Sequence, residues 1–263
     1  MQDTAQARLI EKYRGQNRMN LYFECASGIS GDMSVAALLD LGADREKLEK
    51  ALDSMKLDDE FSYKISDVLI NSIHATDFDV TLKHHHNHEH HHHHEHRNLE
   101  DVNKIIDRAD ISDSAKALAK KIFKIVAEAE AKVHNRDISE VHFHEVGAID
   151  SIADIVSFAV LYDDLNPEKT FFSTLTEGRG FITCQHGKLP VPVPAVCEIA
   201  AKYKLPLRIT DNEGEMVTPT GAAIAAALYT DEKLPEQFVI EKTGYGAGKR
   251  KYENPLLRVM VIS

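Results

Sequence analysis

The 263-residue sequence contains no tryptophan and only three cysteines. Without indole rings the core must be built mainly from Leu, Ile, Val and Ala, with ten Phe and eight Tyr as its aromatic part. Cys25, Cys184 and Cys197 form no Cys-x-x-Cys pair and no even set. That excludes a disulfide framework and points to a reducing, cytoplasmic compartment. Cys197 is expected as a small buried apolar residue. No apolar run approaches the length of a membrane span. Residues 1–20 are polar and lack a signal-peptide core, and residues 1–19 are read as a flexible extension, with a frayed helix over 5–13. Positive charge is also short: the formal net charge is −11. That argues against a broad nucleic-acid surface and leaves room for a local basic pocket that takes a small anion.

Histidine, by contrast, is abundant and concentrated. Ten of the fifteen fall within residues 84–96: His84, His85, His86, His88, His90, His91, His92, His93, His94 and His96. Neutral imidazole suits nickel, zinc and copper. So many nitrogens on one polar loop make a high-capacity metal store rather than a catalytic site, which needs a few ligands at fixed angles. The tract is internal and interrupted by Asn87, Glu89 and Glu95, unlike a purification tag. A solvated loop without a metal role is the plain alternative.

Periodicity predicts an α+β fold, a mixed sheet covered by helices with the histidine-rich loop inside one domain spanning 20–263. Strands are expected over 20–25, 61–69, 73–82, 171–175, 181–184, 207–210, 238–243 and 256–262. Helices are expected over 33–41, 44–55, 99–108, 112–134, 151–162, 195–202 and 222–229. Asn71 and Ser72 should turn a hairpin. The glycines at 178–180 and 244–248 are read as turns.

Three segments could carry chemistry. In Val141-His142-Phe143-His144-Glu145-Val146-Gly147-Ala148-Ile149-Asp150, His142 and His144 share a face if the chain is extended, and Asp150 and Asp154 share a helix face. Two imidazoles and up to three carboxylates suit a divalent metal or acid–base work. A helix cap and a hydrogen-bonded core histidine would serve as well structurally. Ser27-Gly28-Ile29-Ser30-Gly31-Asp32 joins strand to helix, where backbone N–H groups attract phosphate. It lacks the lysine of a Walker A loop, and Asp32 could instead cap the helix or hold a metal. Thr218-Pro219-Thr220-Gly221 offers a second such turn. His186 is a lone histidine of low weight.

In this order, Gly28-Ile29-Ser30-Gly31-Asp32-Met33, His142 to Asp150, Pro190-Val191-Pro192-Val193-Pro194-Ala195, Thr218-Pro219-Thr220-Gly221-Ala222-Ala223 and Gly244-Tyr245-Gly246-Ala247-Gly248 resemble the nickel-insertion proteins of nickel-pincer cofactor synthesis, the LarC family. The resemblance covers residues 20–263. It implies insertion of Ni(II) into pyridinium-3,5-bisthiocarboxylic acid mononucleotide, a lyase-class cyclometallation that supplies lactate racemase and related enzymes. It also implies use of CTP with Mn(II) or Mg(II), associated with a C-terminal region. The chain stops soon after Gly248, so it is read as the N-terminal part, inactive if it depends on that region. On this reading His142, His144, Glu145, Asp150 and Asp154 form the metal and acid–base centre. Ser27, Gly28, Ser30, Gly31 and Asp32 at the first turn, or alternatively Thr218, Thr220 and Gly221 at the second, hold the mononucleotide phosphate, the first being favoured because its two glycines allow closer backbone approach. Glu24 stands where the family carries Asp, and the segment from Lys249 to Pro255 is a looser match. No role is carried onto Glu24 or Lys249. A nickel store without catalysis, or a metal-dependent phosphate-ester hydrolase, are the rival readings. Self-association is left open.

Overall fold

A computed structural model describes residues 19–83, 97–141, 149–184, 187–230, 232–250 and 252–263. The N-terminal extension, the histidine tract and the segment from His142 to Ala148 lie outside the described residues, as does His186. In chain order the elements are β1 (Asn20–Glu24), α1 (Gly31–Leu41), α2 (Arg45–Ser54), β2 (Phe61–Ile70), β3 (Ile73–Leu82), α3 (Leu99–Arg108) and α4 (Asp113–His134). A short 3-10 turn (Ile138–Glu140) leads to α5 (Ile149–Leu165), β4 (Lys169–Phe172), β5 (Leu175–Arg179), β6 (Phe181–Cys184) and β7 (Gly187–Pro190). Then come α6 (Pro194–Tyr203), β8 (Leu207–Glu213), α7 (Pro219–Leu228), β9 (Ile240–Ala247) and β10 (Leu256–Ile262). This is the α+β mixture read from the sequence.

The main sheet has six strands in the order β2-β3-β9-β10-β1-β4. It is mixed: β10 runs antiparallel to β1 and β9, whereas β4 runs parallel to β1. Alternation sorts its two faces. Leu21, Phe23, Leu257, Val259 and Val261 enter the main core with the helices. Tyr22, Phe171, Met260 and Ile262 cluster on the opposite face with Leu234 and Phe238. Phe23 stacks on Phe172 at 4.9 Å and meets Phe158 of α5 at 6.3 Å. Burying such a ring stabilises the fold by about 1.5–3 kcal/mol. Two small ladders, β5-β8 and β6-β7, stand apart from this sheet.

Helix ends follow local chemistry. Ser30, Asp44, Asn98, Ser112 and Thr218 each accept a backbone N–H as N-cap, and Asn98 with Asp101 completes a capping box. Asn71 and Ser72 both adopt positive φ, 50° and 66°, as a two-residue hairpin turn requires. The hairpin β2–β3 joins the sheet where Thr76 pairs with Gly246.

Four local expectations are corrected. The strand read over 171–175 is two: β4 ends at Phe172 in the main sheet, and β5 begins at Leu175 beside β8. Gly178 lies within β5 rather than in a turn. The glycine run at 244–248 is largely strand, since β9 continues to Ala247. Its glycines are there because α1 lies directly on them: a Cβ at Gly244 would stand 2.4 Å from the Ala37 carbonyl oxygen, and one at Gly246 2.0 Å from that of Met33. Cys197 is exposed, because the buried face of α6 is set by Val196, Ile199 and Ala200 and position 197 falls on the other side.

Candidate functional site

The two turns read as alternative anion sites are one structure. Gly28 takes φ 84° and its N–H donates to the Cys25 carbonyl at 3.2 Å, which bends the chain away from β1. The Ile29 N–H then donates to the Met216 carbonyl at 3.0 Å, and the Thr218 N–H donates back to the Ile29 carbonyl at 3.1 Å. This two-bond seam starts α1 and α7 side by side. Gly221 is obligatory at the contact, because a Cβ there would lie 2.1 Å from the Ile29 carbonyl oxygen. Thr218 caps its own helix by accepting the Gly221 N–H at 3.1 Å.

Behind the seam sits Glu177 of β5, fully buried. Its Oε1 accepts the N–H groups of Met216 (2.6 Å), Gly178 (2.8 Å) and Val217 (3.1 Å). Burial raises its pKa; the three N–H bonds and the nearby Arg250 pull it back. Oε2 has no partner among the described residues. The sequence reading missed Glu177. The available signal was an acid inside an otherwise strand-like run, Leu175-Thr176-Glu177.

In front of the seam acids gather at the N-terminus of α1. Ser30 donates its hydroxyl to Asp32, and the Asp32 carboxylate also accepts the Met33 N–H at 2.9 Å. The backbone N–H of Asp32 is bonded to Asp154 of α5. Gly31 makes that approach possible: a Cβ on it would stand 2.5 Å from Asp154 Oδ2 and 2.9 Å from Thr220 Cγ2. Asp150, one turn before Asp154, accepts the Ser151 N–H at 2.8 Å. From the sheet side, Asp79 of β3 receives Lys249, whose Nζ also lies 3.9 Å from Asp32 Oδ2.

The protonation pattern follows from that crowding. Desolvation, then the charges of Asp32 and Asp150, raise Asp154 well above the ordinary carboxylate range. Desolvation likewise raises Asp150 and Asp77, against the pull of Lys249. Asp79 is lowered by its hydrogen bond to Lys249. For Lys249 desolvation is the largest influence and lowers it, but Asp79, Asp32 and Asp77 together outweigh it and its pKa is raised. Among the described residues acids outnumber cations here, and carboxylates held above their usual range are suited to accepting a proton.

This arrangement also bears on the anion reading. The N–H groups of Gly28, Ile29, Asp32 and Met33 are taken by protein oxygens, and carboxylates face the helix end. Few donors on the first turn remain for a phosphate. Among the described residues the basic side chains close by are Lys249 and Arg250, the latter paired with the buried Glu215. Among the described residues no three His, Cys, Asp or Glu side chains converge as a metal-holding set. Of the sequence-predicted centre, Asp150 and Asp154 are brought to Asp32. His142, His144, Glu145 and the ten tract histidines lie outside the described residues. Lys249, given no role by the sequence, stands at the middle of the cluster.

Compared with known proteins, residues 21–263 match the family described as nickel insertion protein. The chain belongs to that family. It is 52% identical over 253 residues to the pyridinium-3,5-bisthiocarboxylic acid mononucleotide nickel insertion protein of Alkaliphilus metalliredigens, covering 92% of this chain and 60% of the relative. The protein of the same description from Acetivibrio thermocellus is 49% identical, over 88% of this chain and 57% of the relative. A putative nickel insertion protein of Dictyoglomus thermophilum is 43% identical, over 92% and 60%. The chain thus spans about 60% of the length of these relatives. No solved structure matches it. No helix among the described residues is long and apolar enough to cross a membrane.

Proposed function

We propose that this chain is the nickel-handling and proton-accepting module of a nickel insertase acting on pyridinium-3,5-bisthiocarboxylic acid mononucleotide. The observation that carries this is the meeting of Asp32, Asp150, Asp154 and Lys249 at the joined starts of α1 and α7, in a chain of the nickel insertion family. Two of those positions belong to motifs that looked unrelated along the sequence.

The chemistry requires Ni(II), here cargo and substrate, to meet two sulfurs and the C4 carbon of the ring. The C4–H bond breaks as the nickel–carbon bond forms, its electron pair goes to the metal, and the proton goes to a base. A carboxylate whose pKa is raised toward neutrality is matched to that task. Asp154 and Asp150 are the described candidates, with Asp32 facing them. His142, His144 and Glu145, just before α5, are proposed as the imidazole and acid part of the centre. Thiocarboxylate is softer than imidazole, so nickel leaves the histidine tract for the substrate down a gradient of ligand preference. The spent donors of the Ser27–Asp32 turn favour Lys249 and Arg250 as the counter-charges for the phosphate. The Ser27, Gly28, Ser30, Gly31, Thr218, Thr220 and Gly221 seam then acts as a rigid floor.

CTP, with Mn(II) or Mg(II), is assigned to a C-terminal part such as the longer relatives have room for, and lactate racemase-type enzymes are the proposed recipients. A reducing cytoplasm suits the three free thiols. The test is the complete insertion system with Ni(II), CTP, Mg(II) and the bisthiocarboxylate mononucleotide, read by mass spectrometry of the nickel product. His144→Ala and Asp150→Ala should each abolish product while most total nickel binding survives. Full product formation by both folded variants would end the assignment.

A further inference from the structure

Glu177 is fully buried, and the insertion chemistry above gives it no task. Its aim is built into β5. The β5–β8 register shifts between Glu177 and Arg179, a break of the kind that redirects a side chain beside a working site. Thr210 donates its hydroxyl to the Glu177 carbonyl at 3.0 Å and fixes the backbone there. Gly178 is packed so closely that a Cβ on it would lie 2.0 Å from the Gly214 carbonyl oxygen, and its N–H turns back onto the Glu177 carboxylate. We propose that Glu177 is a positioning residue that fixes where Asp32 stands against Asp154. The proposal rests on the functional reading above and adds to it a side chain that acts on the proton-accepting acids without touching substrate.

Two routes lead from β5 to the Ser27 turn. Before the turn, the Thr176 N–H donates to the Cys25 carbonyl at 3.2 Å, the same oxygen that accepts the Gly28 N–H. After it, a single peptide group makes the coupling. The N–H of that group, on Val217, donates to Glu177 Oε1 at 3.1 Å, and its carbonyl, on Met216, accepts the Ile29 N–H at 3.0 Å. A carboxylate on the N–H side polarises the peptide and strengthens the bond on the carbonyl side. The Met216 N–H, 2.6 Å from the same Oε1, holds the preceding peptide group. β5 therefore grips the turn at Cys25 and at Ile29.

From Ile29 the chain reaches Asp32 through Ser30, the cap of α1, and Gly31. That step has little slack, since a Cβ on Gly31 would already stand 2.5 Å from Asp154 Oδ2. A shift of Ile29 is thus passed to the Asp32 N–H, which is bonded to Asp154. Charge matters to the grip. The three N–H bonds and Arg250 favour the ionised form of Glu177 against the burial that raises its pKa. Hydrogen bonds to a carboxylate are about twice as strong as neutral ones, so a neutral side chain would hold residues 216–217 less firmly.

The experiment follows the Asp32 amide proton by NMR in the full chain, and turnover in the complete insertion system. Glu177→Gln keeps a neutral acceptor, whereas Glu177→Met keeps the length of the side chain and no acceptor oxygen. The Asp32 amide proton should move upfield in the first and further in the second, as its bond to Asp154 lengthens. kcat for the nickel product should fall about tenfold in Glu177→Gln, and more in Glu177→Met, with KM for the mononucleotide unchanged. Ile106→Val, at a fully buried position of α3, controls for lost stability and should leave the Asp32 amide in place. An unmoved Asp32 amide in folded Glu177→Gln would overturn the proposal. So would a raised KM at unchanged kcat, or an equal shift caused by Ile106→Val. If Glu177→Met does not fold, Glu177→Gln decides alone. Failure of the insertion reading is separable: the parent would then make no nickel product, while the Asp32 amide still reported the grip of Glu177.

Discussion

Replacing Gly28 by alanine asks two things of the seam at once. The residue sits at φ 84°, where a Cβ costs about 1–2 kcal/mol. The new methyl would also stand 2.0 Å from the Met216 carbonyl oxygen. That oxygen is held by the Ile29 N–H at 3.0 Å, so it cannot retreat without opening the seam. Overpacking of this kind adds about 1–3 kcal/mol, for a total loss of about 2–5 kcal/mol. Gly214 supplies the internal control. It has a similar φ of 97°, yet nothing lies within 4 Å of a Cβ built on it. Gly214→Ala should therefore lose only the backbone part, about 1–2 kcal/mol. Urea unfolding of both variants measures the difference, provided the denaturant slope is unchanged. Equal losses would refute the claim that Gly28 is required by the backbone contact rather than by its dihedral alone.

Asp154→Asn should stabilise the chain at pH 7. The folded-state pKa lies above the ordinary 3.8, so ionising Asp154 costs folded stability; the gain from Asn should shrink as pH falls and vanish below about 3.8, and a neutral or destabilising effect at pH 7 in thermal unfolding would contradict the raised pKa. Lys249→Met removes the charge that lowers Asp79 and restrains Asp77, Asp150 and Asp154; carboxyl NMR titration should show Asp79 moving up toward its ordinary value, and no movement would remove Lys249 from the cluster. Deleting residues 84–96 should lower the number of nickel ions bound while leaving thermal stability within about 1 kcal/mol of the parent. Calorimetry with Ni(II) reads this directly, and unchanged stoichiometry would rule out a store in the tract. Binding by the tract in the parent should weaken as pH falls through about 6.5, where imidazole gains its proton.

The sequence by itself determined whatever depends on neighbours along the chain. Ser30, Asp44, Asn98, Ser112 and Thr218 are legible as caps because a cap bonds an N–H two or three residues on. Asn71-Ser72 is legible as a turn for the same local reason. Five motifs in order were enough to indicate the family. Only the tertiary structure decided that the Ser27 and Thr218 turns are one seam, since the Ile29–Val217 pairing leaves no mark in either local pattern. It alone showed that Gly244 and Gly246 are flat ground for α1 rather than a turn. It separated β4 from β5, because sheet membership is a question of pairing rather than propensity. It brought Lys249 among Asp32, Asp77 and Asp79, and put Glu177 beneath the Met216 and Val217 N–H groups. Charges and buried acceptors act through space, so their partners become visible only when the chain is folded.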